Sequence, residues 1–144
     1  MGEFIPDIAT CFHLHEDHAG VEAPPDITLI LKDGENLNYK CINITSIPTY
    51  ERSLEKPDNF SYLFTYKGFK ILHLGDCQGS IISVQKKGIK DRIKKMYPDR
   101  YDLVLLPIGY ITDIVEPASE FAALMRTYII PIHYWSKKEK EKFL

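Results

Sequence analysis

His13-Leu14-His15-Glu16-Asp17-His18 places three of the chain's five histidines and the Asp17 carboxylate within six residues. Imidazole nitrogen and carboxylate oxygen are ligands for zinc, iron or manganese, and a segment carrying both types can serve two adjacent ions. A dinuclear site is the expectation. Satisfied core or surface histidines explain such a density of ligands poorly. The preceding residues Ile8 to Phe12 form a short apolar, β-branched run that reads as a buried strand, with the motif on the loop leaving it. On that loop His13 and His15 can turn toward one ion while Asp17 and His18 reach a second. Gly20 and the Pro24-Pro25 pair then stop any short helix that begins there.

A His-x-His-x-Asp-His motif after an apolar strand resembles the signature of the metallo-β-lactamase superfamily. Two later segments agree with it in order. Phe69 to Asp76 is similar to that superfamily's strand ending in Gly-Asp, and Ile129 to Tyr134 is similar to its late strand ending in a ligand histidine, here His133. Leu105-Leu106-Pro107-Ile108-Gly109 resembles a segment of the ascorbate-6-phosphate-lactonase-like branch. The resemblance implies an α/β (α+β) fold, an αββα sandwich. Residues 1–144 are expected to form a single, partial domain of that kind. It further implies Asp76 as a bridge between two metals, since each carboxylate oxygen can bind a different ion and the charge offsets their repulsion. His133 joins Asp17 and His18 at the second ion.

The chain departs from the family pattern in two places. No histidine lies between His18 and His73, where the superfamily supplies a third imidazole to the first ion. Ile47-Pro48-Thr49-Tyr50-Glu51 occupies the equivalent stretch, so Glu51 is either a carboxylate replacement or a solvated loop residue beside Arg52. The motif also begins at residue 13, whereas the family carries several strands before it. The expectation is that part of the N-terminal sheet is lacking, and that the chain self-associates or takes a partner segment supplying the missing strands.

A chain of 144 residues falls within single-domain size, and 44% hydrophobic with 12% aromatic content can build a core. A net charge of -2 gives no general footprint for nucleic acid. No apolar run approaches the ~18 residues of a membrane span, and no secretory leader is visible. Three widely spaced cysteines make no disulfide framework, which points to the cytoplasm.

The remaining elements follow from pattern. Ile27 to Leu31 and Tyr39 to Ile44 read as strands flanking the Asp33-Gly34 turn, and Phe60 to Tyr66 with Phe69 to Leu74 form a hairpin about Lys67-Gly68. Ile82, Ile89, Ile93 and Met96 share a helical face that ends at Pro98. Tyr101 to Leu106 is a strand; Ala118, Phe121, Ala122 and Met125 mark a helix after Pro117, and a strand to Pro131 follows. Strands first, then strands alternating with helices, predict a sheet covered by helices on its outer face. Asp76 and His133 stand just past strands and can converge, although an ordinary turn aspartate and a core histidine are the plain alternatives. His73 reads as a supporting or core residue, and Cys77 as a small buried hydrophobe.

The implied chemistry is hydrolysis of a small ester, lactone or phosphate-containing metabolite by a metal-bound hydroxide. Two divalent cations, zinc first and iron or manganese as alternatives, would acidify the water, and Asp17 would orient it as the catalytic residue. Loops 46–58 and 109–116, with Tyr50, Tyr110 and Trp135, are candidate substrate walls. One rival within the fold is a nuclease or phosphodiesterase using the basic stretch from Lys86 to Arg100, though a solvated helix face accounts for those charges more simply. The other is a noncatalytic metal-binding remnant or interaction module.

Overall fold

Lys67 and Gly68 both adopt left-handed backbone angles, φ 48° and 85°, and reverse the chain between two long strands. A two-residue reversal of this hand matches the twist of the strands it joins. In this computed structural model, which describes residues 7–12, 28–30, 35–51, 55–83, 89–98, 100–109, 114–134 and 136–143, the reversal sits at the centre of a six-stranded mixed sheet. The elements are β1 (Ile8–Thr10), β2 (Thr28–Ile30), β3 (Asn36–Tyr39), β4 (Ile42–Thr49), β5 (Asn59–Tyr66), β6 (Phe69–His73), α1 (Gln78–Ile82), α2 (Ile89–Met96), β7 (Leu103–Pro107), α3 (Val115–Met125), β8 (Tyr128–Ile132) and α4 (Lys137–Phe143). Strands β3 to β8 lie side by side in chain order, antiparallel up to β6 and parallel from β6 to β8. β1 and β2 pair in parallel as a separate, two-stranded sheet.

Burial explains the layering. Leu72, Val104 and Leu106 point from one sheet face into a cluster with Ile81 of α1, Ile93 of α2, and Ala118 and Phe121 of α3, all almost or fully buried. Partly buried Phe143 brings α4 to the same cluster. On the other face Ile44 and Tyr62 are buried beneath Ile8 and Phe12, which belong to β1 and the residues after it. A mixed sheet with helices on one face and a small sheet on the other is the layering expected from the sequence.

Several local expectations need correction. Tyr39 to Ile44 is not one strand: Lys40 takes φ 52° and makes the turn between β3 and β4, where Tyr39 pairs with Ile42. β2 pairs with β1, not across Asp33-Gly34 with the next strand, and that turn lies outside the described residues. Ser46 to Thr49 belong to β4, and Val115 and Glu116 open α3, so both supposed loops are shorter than expected. Pro117 sits in the first turn of α3, where helical N–H groups have no carbonyl partner, and Ala118 makes the first bond, to the Ile114 carbonyl. α4 was not foreseen, because its lysines and glutamates carry no apolar period; a Lys137–Glu141 pair spans one turn of it.

Candidate metal centre

Because β6, β7 and β8 run parallel, their C-terminal ends open on one edge of the sheet, the usual place for a site in such a sheet. Asp76 follows β6 and His133 follows β8 at that edge. Asp76 is buried, 7% exposed, and its Oδ1 accepts a 2.7 Å hydrogen bond from Gln78 Nε2. The strand end before it is fastened from below. Leu74 O accepts from Ser61 Oγ at 3.0 Å and from Asn59 Nδ2 at 3.4 Å, and both donors are buried.

Gly75 makes the turn into Asp76 with φ 62°, a conformation glycine adopts without strain. Space demands glycine as well, since a Cβ there would overlap the Phe12 ring. Phe12 is the last described residue before the histidine motif. Its ring lies 4.5 Å from that of His73 and 5.3 Å from that of Tyr62, and its carbonyl accepts from Phe60 N at 2.7 Å. Tyr62 Oη donates to the adjoining Cys11 carbonyl at 2.6 Å. The root of the motif is therefore bound to the Gly75-Asp76 turn.

His133 has a left-handed φ of 52°, which leaves β8 abruptly, and its Nδ1 is out of reach of solvent. Gly109, after β7, packs so closely on this bend that a Cβ would overlap the His133 carbonyl and Tyr134 Cα. Glu51 is half-buried; its N–H donates to Asp58 Oδ1 at 2.7 Å and its carbonyl accepts from Gly79 N at 2.6 Å. That second bond, with the one from Ser80 N to the Tyr50 carbonyl, ties the Glu51 segment to α1, directly after Asp76. Tyr50 itself is buried, with the Arg92 guanidinium 4.9 Å above its ring, so it serves packing against α2.

His13, His15, Asp17 and His18 lie outside the described residues, as do Tyr110 and Trp135. Among the described residues no three His, Cys, Asp or Glu side chains form a group that could hold a metal ion. The donors that are described suit a divalent cation: the buried Asp76 carboxylate and the half-buried His133 imidazole stand at one sheet edge, and Phe12, next in sequence to the histidine-rich segment, lies against the Gly75-Asp76 turn. Two neighbours are less suited. Burial pushes His73 down to about 4 and its Nδ1 accepts from Gly75 N at 3.1 Å, so it stays neutral with that nitrogen occupied. Cys77 is in the core, where burial and then the Asp76 charge push its thiol up, so it remains protonated. Its reading as a small hydrophobe holds. Phe12, Asn59 and Ser61 were overlooked in the sequence; each acts through a partner at least 13 positions away, which no local pattern reveals.

Among the described residues no helix is long and apolar enough to cross a membrane, and Cys11, Cys41 and Cys77 form no disulfide with one another. No curated protein matches the chain. Solved structures do, at identities that speak for the fold alone. A metallo hydrolase, Igni18, from Ignicoccus hospitalis aligns with a TM-score of 0.59 and 17% identity over 97% of this chain and 72% of its own. An isothiocyanate hydrolase from Delia radicum gut bacteria gives 0.63 and 16% over 95% and 68%. The short form of human tRNase Z gives 0.53 and 12% over 92% and 74%. The family model for the beta-lactamase superfamily domain matches residues 3–133, nearly the whole sequence, and the chain belongs to that family, with a metallo-β-lactamase-like fold.

Proposed function

We propose that the chain is a metal-dependent hydrolase of a small ester, lactone or phosphate-containing metabolite, with His13, His15, Asp17, His18, Glu51, Asp76 and His133 as ligands for two divalent cations. Zinc is the first choice, and iron or manganese also suits an imidazole and carboxylate set. The observation that carries the reading is the gathering of four segments: Asp76, His133, Glu51 and Phe12, next to His13, all stand at or beside the C-terminal edge of β6 to β8. Bound cations would supply an acidified water and polarise the substrate oxygen. Asp17 is assigned to orient that water, and Asp76 to balance the positive charge between the two halves of the site. The stretch Leu105 to Gly109 ends at the glycine that packs against the His133 bend, so a side chain there would displace His133.

Metal analysis of protein purified without chelators, paired with assays on esters, lactones and phosphodiesters, tests the reading. About two ions per chain and turnover of one substrate class are expected. His133→Ala should lower bound metal by about one ion and abolish hydrolysis, because two ligands and a bridge do not close a zinc site. Unchanged stoichiometry would remove His133 from the set. Glu51→Ala should weaken zinc binding while Glu51→His retains or tightens it; equal binding by all three forms would remove Glu51. The nuclease alternative draws on the basic residues of α2, but Lys90 is paired with Glu120 at 2.9 Å and Arg92 is engaged by Tyr50. The metabolite reading therefore stands ahead of it, and a titration with single-stranded RNA compares the two.

A further inference from the structure

His73 and Phe12 are not needed as ligands, yet they join the residue that precedes the histidine motif to the Gly75-Asp76 turn. His73 Nδ1 accepts the Gly75 N–H at 3.1 Å, so the imidazole closes the turn from inside its own strand end. The Phe12 ring stacks on the same imidazole, with centroids 4.5 Å apart and planes inclined by 37°, and fills the space that a side chain at position 75 would occupy. Phe12 cannot slide, because Phe60 N holds its carbonyl at 2.7 Å and Tyr62 Oη holds the carbonyl before it at 2.6 Å. Three fixed points thus meet: β5 holds Phe12, Phe12 covers His73, and His73 holds Gly75.

We propose that His73 is a positioning residue for the cation site: through Phe12 on one side and the Gly75 N–H on the other, it sets the place of Asp76 relative to Phe12, the residue that precedes His13. The proposal rests on the metal-site reading above and deepens it. A neutral imidazole is required, because a protonated Nδ1 could not accept, and burial behind Phe12 keeps it neutral at ordinary pH. Supporting residues of this kind typically change metal affinity by about 10–100-fold when lost.

The test compares His73→Asn, whose amide oxygen can replace Nδ1 as acceptor, with His73→Leu, which fills space but accepts nothing. Cobalt(II) alone is titrated into each, following its visible absorption, and exchange of the Gly75 amide is measured on the metal-free proteins. The Asn form should bind cobalt within about threefold of the parent and keep Gly75 protected, whereas the Leu form should bind at least about tenfold more weakly with Gly75 exposed. Should the Leu form fold poorly, Phe12→Leu provides the second route, and it should weaken cobalt binding in the same sense. Cobalt binding by the Leu form equal to the parent's would overturn the proposal, and so would an Asn form as impaired as the Leu form. A parent that binds no cobalt would instead overturn the metal-site reading, while Gly75 exchange would still report whether the His73 lock exists.

Discussion

The two faces of the six-stranded sheet end differently. On the helix side, burial is continuous from β6 to β7: Leu72, Val104 and Leu106 are fully buried beneath α1 to α3. On the opposite side it fades across the strands. Ile44 and Tyr62 are covered, but Phe69 is 50% exposed, Ile130 45% and Tyr128 81%. Register puts these residues on one face, since Ile44 pairs with Phe64, Tyr66 with Phe69, Leu103 with Tyr128 and Leu105 with Ile130. Composition does not distinguish the two faces; both are apolar. What differs is the covering layer, helices on one side and the strand β1 with Phe12 on the other.

The largest expected effect is on the helix side. Phe121→Ala empties the centre of that layer and should cost about 3–5 kcal/mol, whereas Ile130→Ala on the opposite face should cost under about 1 kcal/mol. Denaturant melts of the two variants measure the contrast directly. Similar losses would mean that Ile130 is buried in solution. At the junction between the faces, Gly75→Ala should cost about 2 kcal/mol, because the new Cβ meets both a left-handed backbone and the Phe12 ring. An alanine form as stable as the parent would show that Phe12 can move aside.

The exposed face also bears on association. We propose that Phe69, Ile130 and Tyr128 pack in solution against a second copy of the chain, since apolar sheet surface of this kind marks an interaction site. Tyr128→Lys with Ile130→Lys should then weaken self-association about tenfold or more, as read by sedimentation across micromolar concentrations. A parent that is already a monodisperse, cooperatively melting monomer would overturn this. Pro131, directly after Ile130 in edge strand β8, lacks an N–H, which favours contact through the face over pairing along the edge.

How much of this was legible in the sequence depended on how local the cause was. The Lys67-Gly68 hairpin could be read because glycine announces its turn, and the positions of Asp76 and His133 past apolar strands followed from short runs. The β3–β4 turn could not, because it is made by Lys40, a residue with no preference for positive φ. The third helix needed only its apolar period, while α4 has almost none and joins the core through Phe143. At the candidate site, ligand types are visible as residues, but the contacts that gather them are not. Nothing within a few positions of Phe12 tells that it will meet His73 or exclude a side chain at Gly75.

His73 also gives the comparison a pH dependence. Burial lowers it from the ordinary 6.5 to about 4, so between those values the unfolded chain binds a proton that the folded chain refuses. Its contribution is fully favourable above pH 6.5 and is lost as pH falls toward 4. Metal-free protein should therefore lose stability from pH 7 to pH 5 more steeply than His73→Asn does, and equal slopes in thermal melts would show that His73 titrates normally.

The smallest effect is expected where the helix layer is tied on its outside. Lys90 of α2 meets Glu120 of α3 at 2.9 Å, but both side chains are at least a third exposed, 53% and 36%. Water and salt screen such a pair, and holding two long side chains in one geometry costs entropy, so the coupling should be about 0.5 kcal/mol or less. A double-mutant cycle of Lys90→Ala and Glu120→Ala measures it. If burial alone binds the helices to the sheet, the coupling should shrink further at high salt while the penalty for Phe121→Ala stays constant. A coupling above about 1 kcal/mol would give the ion pair a share in fixing α2 on α3, and would count further against those charges being free to meet a phosphate backbone.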